Sequence, residues 1–251
     1  MNAQAPPNRL RHLLKTIYTF SIGFPLFMLM DLLVLVFSIL TLFQARDRTM
    51  RWLVGPGAWL ILRVMGIRVE CVGRERLPEQ PVVMIGNHLS SYDIFAVTAL
   101  GLPRTRYFLS TYTYRVLPLT VIALCTRTIY IHGQEHPEKR IQCFQRAEQI
   151  LRDSGDSVFL TPEGMRVTTG KVGHFNRGSF HLAVALQRPI VPFLIEIPPA
   201  INPGLGVVSS SGTVRITVQE PIDTSQWSLE TLPEHIHEVR ELYRGWLGEK
   251  D

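Results

Sequence analysis

The sequence predicts an α/β fold, a largely parallel or mixed sheet flanked by helices and preceded by an N-terminal membrane-associated helical segment. Three observations carry this. Short apolar runs alternate with longer periodic ones through most of the chain, which is the pattern of strands buried on both faces and joined by helices. A long stretch near the N-terminus is almost free of charge, and the mean hydropathy is positive, oilier than a typical soluble enzyme. The length, 251 residues, suits one domain with an appendage rather than two full domains.

The first element is that apolar stretch. From Ile17 to Phe43 only Asp31 is charged. These roughly 27 residues would reach about 40 Å as a helix, against a hydrocarbon core of ~30 Å. Arg9, Arg11 and Lys15 precede it and Arg46, Arg48 and Arg51 follow, so the positive-inside rule draws both ends to the cytoplasmic side. A re-entrant or bent helix pair resolves that conflict, with Gly23 and Pro25 as the expected bend, and monotopic insertion is favoured over spanning because Asp31 is costly at a bilayer centre. A cleaved secretory signal fits poorly, since the run is too long and Thr41-Leu42-Phe43-Gln44 offers no small-residue cleavage site. Trp52 to Gly66, interrupted by Gly55-Pro56-Gly57, reads either as a headgroup-level segment or as an ordinary helix packed on the core. The boundary is expected near residue 68, giving an N-terminal membrane-associated part (1–68) and an α/β domain (69–251).

Downstream, Val82–Ile85, Tyr107–Leu109, Thr128–Ile131, Val158–Leu160 and Ile190–Ile195 read as buried strands, and Val214–Val218 as a late strand with period-2 alternation. Ile94–Leu100, Pro137–Arg152, Phe175–Gln187 and Leu229–Leu247 read as helices, the second opened by proline at its first turn. Pro198-Pro199, Asn202-Pro203-Gly204 and Ser209-Ser210-Ser211-Gly212 mark loops rather than a linker.

A net charge of +5 calls for an anionic partner. Without an aromatic-laced RNA-binding signature, zinc-finger spacing or helix-turn-helix, nucleic acid is not expected, and a lipid surface is. Cys71, Cys125 and Cys143 are odd in number and widely spaced, which predicts buried thiols and neither a disulfide framework nor a zinc site.

Two segments carry chemistry. Asn87-His88-Leu89-Ser90-Ser91-Tyr92-Asp93 follows the first apolar run. His88 and Asp93 would stand about 140° apart on a straight helix, so a turn must lie between them if they are to meet. Asp93 then accepts the Nδ1 proton of His88 and leaves Nε2 to act as a general base. A capping box of Ser90 and Asp93 accounts for those two residues without catalysis, and leaves His88 unexplained. Thr161-Pro162-Glu163-Gly164-Met165-Arg166 follows Val158–Leu160, at the strand end where open α/β sheets place ligands. Here Glu163 can orient a hydroxyl, Gly164 permit close backbone approach and Arg166 bind a phosphate, although a surface turn with a solvated ion pair explains the same residues. No Gly-x-Ser-x-Gly elbow occurs, so a serine hydrolase is secondary. His132-Gly133-Gln134-Glu135-His136 matches a zinc-peptidase string, but Gly133 and Pro137 argue against the helix that it requires.

Together, NHLSSYD, then a strand, then TPEGMR, then Phe175-Asn176-Arg177-Gly178 and Pro189-Ile190-Val191-Pro192 resemble the glycerolipid acyltransferase family, typified by 1-acylglycerol-3-phosphate O-acyltransferases, over roughly residues 70–220. The resemblance implies transfer of a fatty acyl group from an acyl-CoA or acyl-carrier-protein thioester to the free hydroxyl of a lysolipid, first of all 1-acylglycerol-3-phosphate to give phosphatidic acid. It implies no metal and no cofactor beyond that co-substrate, with a membrane lipid as partner on the cytoplasmic face. His88 would be the base and Asp93 its orienter, and Glu163, Gly164 and Arg166 would hold the acceptor. The sequence departs from the family pattern where an acceptor-binding arginine is expected and Gly133 stands, where Ser110 replaces a lysine, and where Met165 and Val167 replace threonine and serine. Arg127, Lys171 or Arg177 could compensate, simple family drift explains the same changes, and a different lysolipid acceptor, such as a lyso-ornithine lipid or another lysophospholipid, is the sharper alternative. A lipid hydrolase and a non-catalytic membrane-binding protein remain as rivals.

Overall fold

Two helical limbs precede the first strand. The structure, a computed structural model, describes residues 9–249 except 203, 205, 207 and 209, with backbone only at 9, 11 and 12. The expected breaks at Pro203 and Ser209 and the side chains of Arg9 and Arg11 therefore lie outside the described residues. The first limb runs through α1 (Arg9–Tyr18), a π-helical turn over Thr19–Gly23 and α2 (Phe24–Leu40). Within it Leu13–Leu40, 28 residues, is long and apolar enough to cross a membrane. The second limb comprises α3 (Arg46–Thr49), a π turn over Met50–Val54 and α4 (Gly55–Val64).

Neither proline breaks its limb. Inside an α-helix the ring collides with the carbonyl four residues back. Here each proline follows a widened turn, in which Phe24 N–H reaches Thr19 O and Gly55 N–H reaches Met50 O, five residues back. The expected bend at Gly23 and Pro25 is thus a π turn in a continuing helix, and Gly55-Pro56-Gly57 is no interruption. The chain reverses instead at residues 41–45, where Leu42 and Phe43 take the left-handed φ values of 51° and 57°. Gly57 lets the limbs approach, since a Cβ there would lie 2.5 Å from Met30 Cε.

The remaining elements are β1 (Ile67–Val72), β2 (Val83–Gly86), α5 (Tyr92–Ala99), β3 (Thr105–Ser110), a 3-10 turn (Thr111–Arg115), α6 (Leu117–Cys125), β4 (Ile129–Ile131), α7 (Pro137–Ser154), β5 (Ser157–Leu160), α8 (Gly178–Leu186), β6 (Ile190–Glu196), β7 (Gly212–Val218) and α9 (Leu232–Trp246). The strands form one sheet in the order β1-β7-β6-β2-β5-β3-β4, parallel at every pairing except β6 with β7. This is the mixed, mainly parallel sheet that the alternation of runs predicts. Period-2 geometry sorts the strand side chains onto two faces. Met84, Phe159, Val191 and Phe193 join α5 and the hairpin in one core, while Val83, Ile85, Val158 and Leu160 join α7, α8 and α9 in the other. β7 keeps the alternation read from its sequence, with Val214, Ile216 and Val218 buried and Arg215 exposed.

The start of the helix expected from Phe175 falls at Gly178, because Phe175 is buried in the core and Asn176 bonds a neighbouring loop. The hairpin is fastened to the sheet by an ion-pair cluster. Asp156, at the entry to β5, receives both Arg46 nitrogens, at 2.6 and 2.7 Å, and Arg106 Nε at 2.8 Å. Arg46, expected as a membrane-flanking cation, is thus a half-buried structural partner of the buried Asp156.

Candidate active site

The site lies above the C-terminal ends of β2 and β5, next to each other in the sheet. β2 ends at Gly86, and Asn87 prolongs its pairing by side chain: Nδ2 donates to Ile195 O at 2.9 Å while Oδ1 accepts from Ile195 N at 2.8 Å. Asn87 is wholly buried, so both bonds form away from water, where leaving either group unpaired is expensive. The chain then turns and brings His88 and Asp93 together, with Nδ1 and Oδ2 2.8 Å apart. A carboxylate only accepts, so Nδ1 carries the proton. Asp93 Oδ2 also accepts from Leu89 N (2.6 Å) and Ser90 N (2.9 Å), and Ser90 Oγ accepts from Tyr92 N (2.9 Å). The capping interaction and the histidine pair expected from sequence are therefore one structure, in which a carboxylate fixed by two backbone N–H groups orients the ring. Asp93 is buried, whereas the His88 side chain is 25% exposed and its Nε2 has no hydrogen-bond partner among the described residues.

The second segment closes on the first. Glu163 is buried and spends both carboxylate oxygens on backbone: Oε2 accepts from His88 N at 2.6 Å and Oε1 from Gly173 N at 2.7 Å. Burial pushes its carboxyl up, and the two N–H groups pull it back. Val167 N donates to His88 O at 2.7 Å, so the histidine backbone is gripped on both sides by this loop. Gly164 adopts φ +69°, the left-handed region that a side chain resists. Asn176 Nδ2 donates to the carbonyls of Pro162 and Glu163, each at 2.9 Å, and Gln134 Nε2 to that of Glu163 at 3.3 Å. Arg166 is exposed and donates from Nη1 to Ser91 Oγ at 2.6 Å, which sets a guanidinium over the loop holding His88.

All five residues singled out from sequence thus fall at one rim. The suggested compensating cations do not all reach it. Arg127 precedes β4, at the opposite end of its strand, and donates to Phe43 O in the hairpin turn. Arg177 donates to Leu229 O, and Lys171 is exposed in the loop before α8. A cation that pattern reading passed over is Arg140 on α7, whose Nη1 donates to His132 O and whose Nη2 would lie 3.8 Å from a Cβ on Gly164. Gly133 is overlain by the Glu135 carboxylate, which accepts from Tyr112 Oη at 2.5 Å. The His132–His136 segment is not helical, since α7 begins at Pro137.

A mainly parallel sheet thus carries a histidine–carboxylate pair at its C-terminal rim, and a long apolar helix lies before its first strand. The acyltransferase family model matches residues 68–196, which hold both segments, and the chain belongs to that family. It is 29% identical over 165 residues to the chloroplastic 1-acyl-sn-glycerol-3-phosphate acyltransferase of Brassica napus, covering 64% of this chain and 47% of that protein. The chain spans about half the length of the chloroplast relatives that it matches. It is 26% identical over 192 residues to the 1-acyl-sn-glycerol-3-phosphate acyltransferase of Pseudomonas aeruginosa, covering 76% of this chain and 72% of that one. The crystal structure of the 1-acyl-sn-glycerophosphate acyltransferase from Thermotoga maritima has the same fold, with a TM-score of 0.78 at 20% identity over 97% of this chain and 98% of that chain.

Proposed function

We propose that the protein transfers a fatty acyl group from a coenzyme A or acyl-carrier-protein thioester to the free hydroxyl of a lysolipid, with 1-acylglycerol-3-phosphate as the first acceptor to test. The observation that carries this reading is the 2.8 Å His88–Asp93 pair with the far ring nitrogen left open at the rim. The names of the relatives support the acceptor. In the proposed step Nε2 takes the hydroxyl proton as the oxygen adds to the thioester carbonyl. Collapse of the tetrahedral intermediate breaks the C–S bond, and the leaving thiolate recovers the proton from the imidazolium. The step needs no cofactor beyond the thioester. Ser90 suits an acyl-enzyme poorly, because it is buried and its hydroxyl is engaged with Tyr92 N–H.

The roles divide by geometry. His88 is the base and Asp93 its orienter. Glu163, with both oxygens on backbone N–H groups, is better suited to positioning His88 than to binding the acceptor directly. Gly164 supplies the left-handed turn of the same loop. Arg166, exposed beside Ser91, and Arg140, behind Gly164, are the cations available for an acceptor phosphate. One observation favours a second acceptor: a carboxylate, Glu135, covers Gly133, and an acidic group there suits an acceptor bearing an ammonium, as a lyso-ornithine lipid does.

The hairpin supports a monotopic placement, and the basic residues flanking its apolar run favour the cytoplasmic face. Its long helix is tied to the rest of the chain at both ends, through Lys15 Nζ to Ser211 Oγ and Tyr18 Oη to Val64 O at one end, and through the reversal held by Arg127 and Arg46 at the other. A spanning helix would carry one end about 30 Å across the bilayer, away from the sheet. We take residues 1–68 as the membrane-associated part and 69–251 as the catalytic domain.

The test is purified protein in mixed micelles with an acyl-CoA, an acyl-carrier-protein thioester and a panel of lysolipids, with products read by mass spectrometry. A diacyl product from 1-acylglycerol-3-phosphate is expected. Preference for lyso-ornithine lipid would move the acceptor assignment. Free fatty acid as the sole product, or no thioester consumption, would overturn acyl transfer.

A further inference from the structure

Helix α6 is apolar on every side: Leu117-Pro118-Leu119-Thr120-Val121-Ile122-Ala123-Leu124-Cys125 contains no charged residue. Such a helix normally lies inside a core. Its inner side packs on a core, in which Cys125 is buried, and Leu119, Ile122 and Ala123 line an apolar pocket shared with α2, α4 and α5. Its outer side does not. Leu117 and Leu124 are 65% and 66% exposed, among the most open large apolar side chains described. Seven residues apart, they share one face of the helix, with Thr120 between them, while Val121 packs against the core. The turn leading into the helix adds Tyr112, Tyr114, Arg115 and Val116, all exposed.

This surface does not stand alone. α6 packs against α2, whose own outward residues Leu29, Leu32, Leu33, Val36 and Ile39 are exposed along the membrane-length helix. The apolar surface of α6 is therefore an extension of that helix, flanked by two tyrosines and an arginine, the residues that suit the headgroup level. At nine residues α6 would reach only about 14 Å, too short to cross a ~30 Å hydrocarbon core, so it can only lie within one leaflet.

We infer that α6 with its leading 3-10 turn is a second membrane-contacting element, which immerses Leu117 and Leu124 in the acyl region of the leaflet that receives the hairpin while Tyr112, Tyr114 and Arg115 sit among the headgroups. The partner is the lipid bilayer itself. Two elements distant in sequence then fix the tilt of the catalytic rim against the membrane, which one hairpin alone leaves free to rotate about its axis. This goes beyond the acyl-transfer reading and stands or falls separately from it.

The experiment uses the full chain with Cys71→Ser, Cys125→Ala and Cys143→Ser, reconstituted into phosphatidylethanolamine–phosphatidylglycerol vesicles. Nitroxide labels are placed one at a time on cysteines substituted at Leu117, Leu124, Leu33 and Leu242, and their accessibility to oxygen and to a water-soluble nickel chelate is read by power-saturation electron paramagnetic resonance. Circular dichroism and the thermal midpoint, matched to the unsubstituted chain, establish that each variant is folded. Labels at 117 and 124 are expected to favour oxygen over the nickel chelate as the Leu33 label does, with the ratio at least about fivefold above that at Leu242 on α9. Labels at 117 and 124 as accessible to nickel as Leu242 overturn the inference. A Leu33 label that is itself water-accessible overturns the membrane placement of both elements, whatever the protein acylates.

Discussion

Around His88 nearly every polar atom is engaged by a backbone group, whereas along the hairpin the surface is apolar and few polar atoms hold it. At the rim Asp93 accepts two N–H groups besides the imidazole, Glu163 accepts two more, and Asn87 closes a buried pair with β6. The hairpin relies on Gly57 against Met30, on side chains interleaved with α5, on the cluster at Asp156, and on three scattered bonds from Lys15, Tyr18 and Arg127. The difference separates two demands. A proton-transfer site must hold atoms to a fraction of an ångström, which directional bonds do. A lipid-facing surface needs only area and apolarity, so its individual residues are replaceable except where they touch the sheet.

The sharpest break of this contrast is His88→Ala. Acyl transfer should fall by about 10²–10⁴-fold, the contribution of a general base, while the thermal midpoint in detergent stays close to that of the parent, since the ring is partly exposed. An unchanged rate in a folded variant would remove the imidazole from the reaction.

Next comes the exception within the hairpin. Arg46→Met strips Asp156 of its bidentate partner but leaves Arg106. The loss in unfolding free energy should therefore fall below the ~3–5 kcal/mol of an orphaned buried charge. Burial pushes the Asp156 carboxyl up, but Arg46 foremost, with Ser154 and Arg106, outweighs it and holds the group at about 2. A folded pKa below the unfolded ~3.9 means that the pair contributes fully above about pH 4 and is lost as pH falls toward 2. Denaturant titrations at pH 7 and pH 3 should show a smaller acid-induced loss in Arg46→Met than in the parent. An equal loss would assign acid sensitivity to other groups.

Glu163→Gln tests whether the loop clamp works as a clamp. One backbone N–H then faces an amide donor, at a cost of about 1–3 kcal/mol. A positioning role lowers kcat and leaves KM for the lysolipid within about twofold, whereas direct acceptor binding raises KM. Smallest is Trp59→Ser on the exposed side of α4, which should change unfolding free energy by no more than about 0.5 kcal/mol while weakening partition into anionic vesicles. A large loss of stability would mean that this surface is packed after all.

How much of this could be read beforehand follows the same division. The strands of the sheet centre were legible because β2, β5 and β6 are continuous apolar runs, and His88 with Asp93 because their partners are close in sequence. β1 was passed over although Ile67-Arg68-Val69-Glu70-Cys71 alternates as β7 does, and its partner β7 lies 145 positions away at the Glu70–Arg215 pair. α6 was missed because a segment apolar but for Thr120 has no helical periodicity to detect. The carboxylate of Glu163 was recognisable as part of a motif, but its direction was not: it faces two backbone N–H groups, and side-chain patterns carry no record of which peptide groups lack partners. The hairpin's reversal was expected at Gly23 and Pro25 because proline is the usual breaker, and the π turns that accommodate it leave no mark in composition.

β1, the first strand made, pairs with β7, the last. Between them the ribosome must deliver some 140 residues, and loop closure over that span is slow. The hydrophobic hairpin therefore leaves the exit tunnel long before Asp156 or β7 exists to receive it, and Arg46 waits for its counter-charge while translation continues. On the proposed membrane placement, attachment to lipid would precede assembly of the sheet, and the α/β half would fold already tethered to a bilayer.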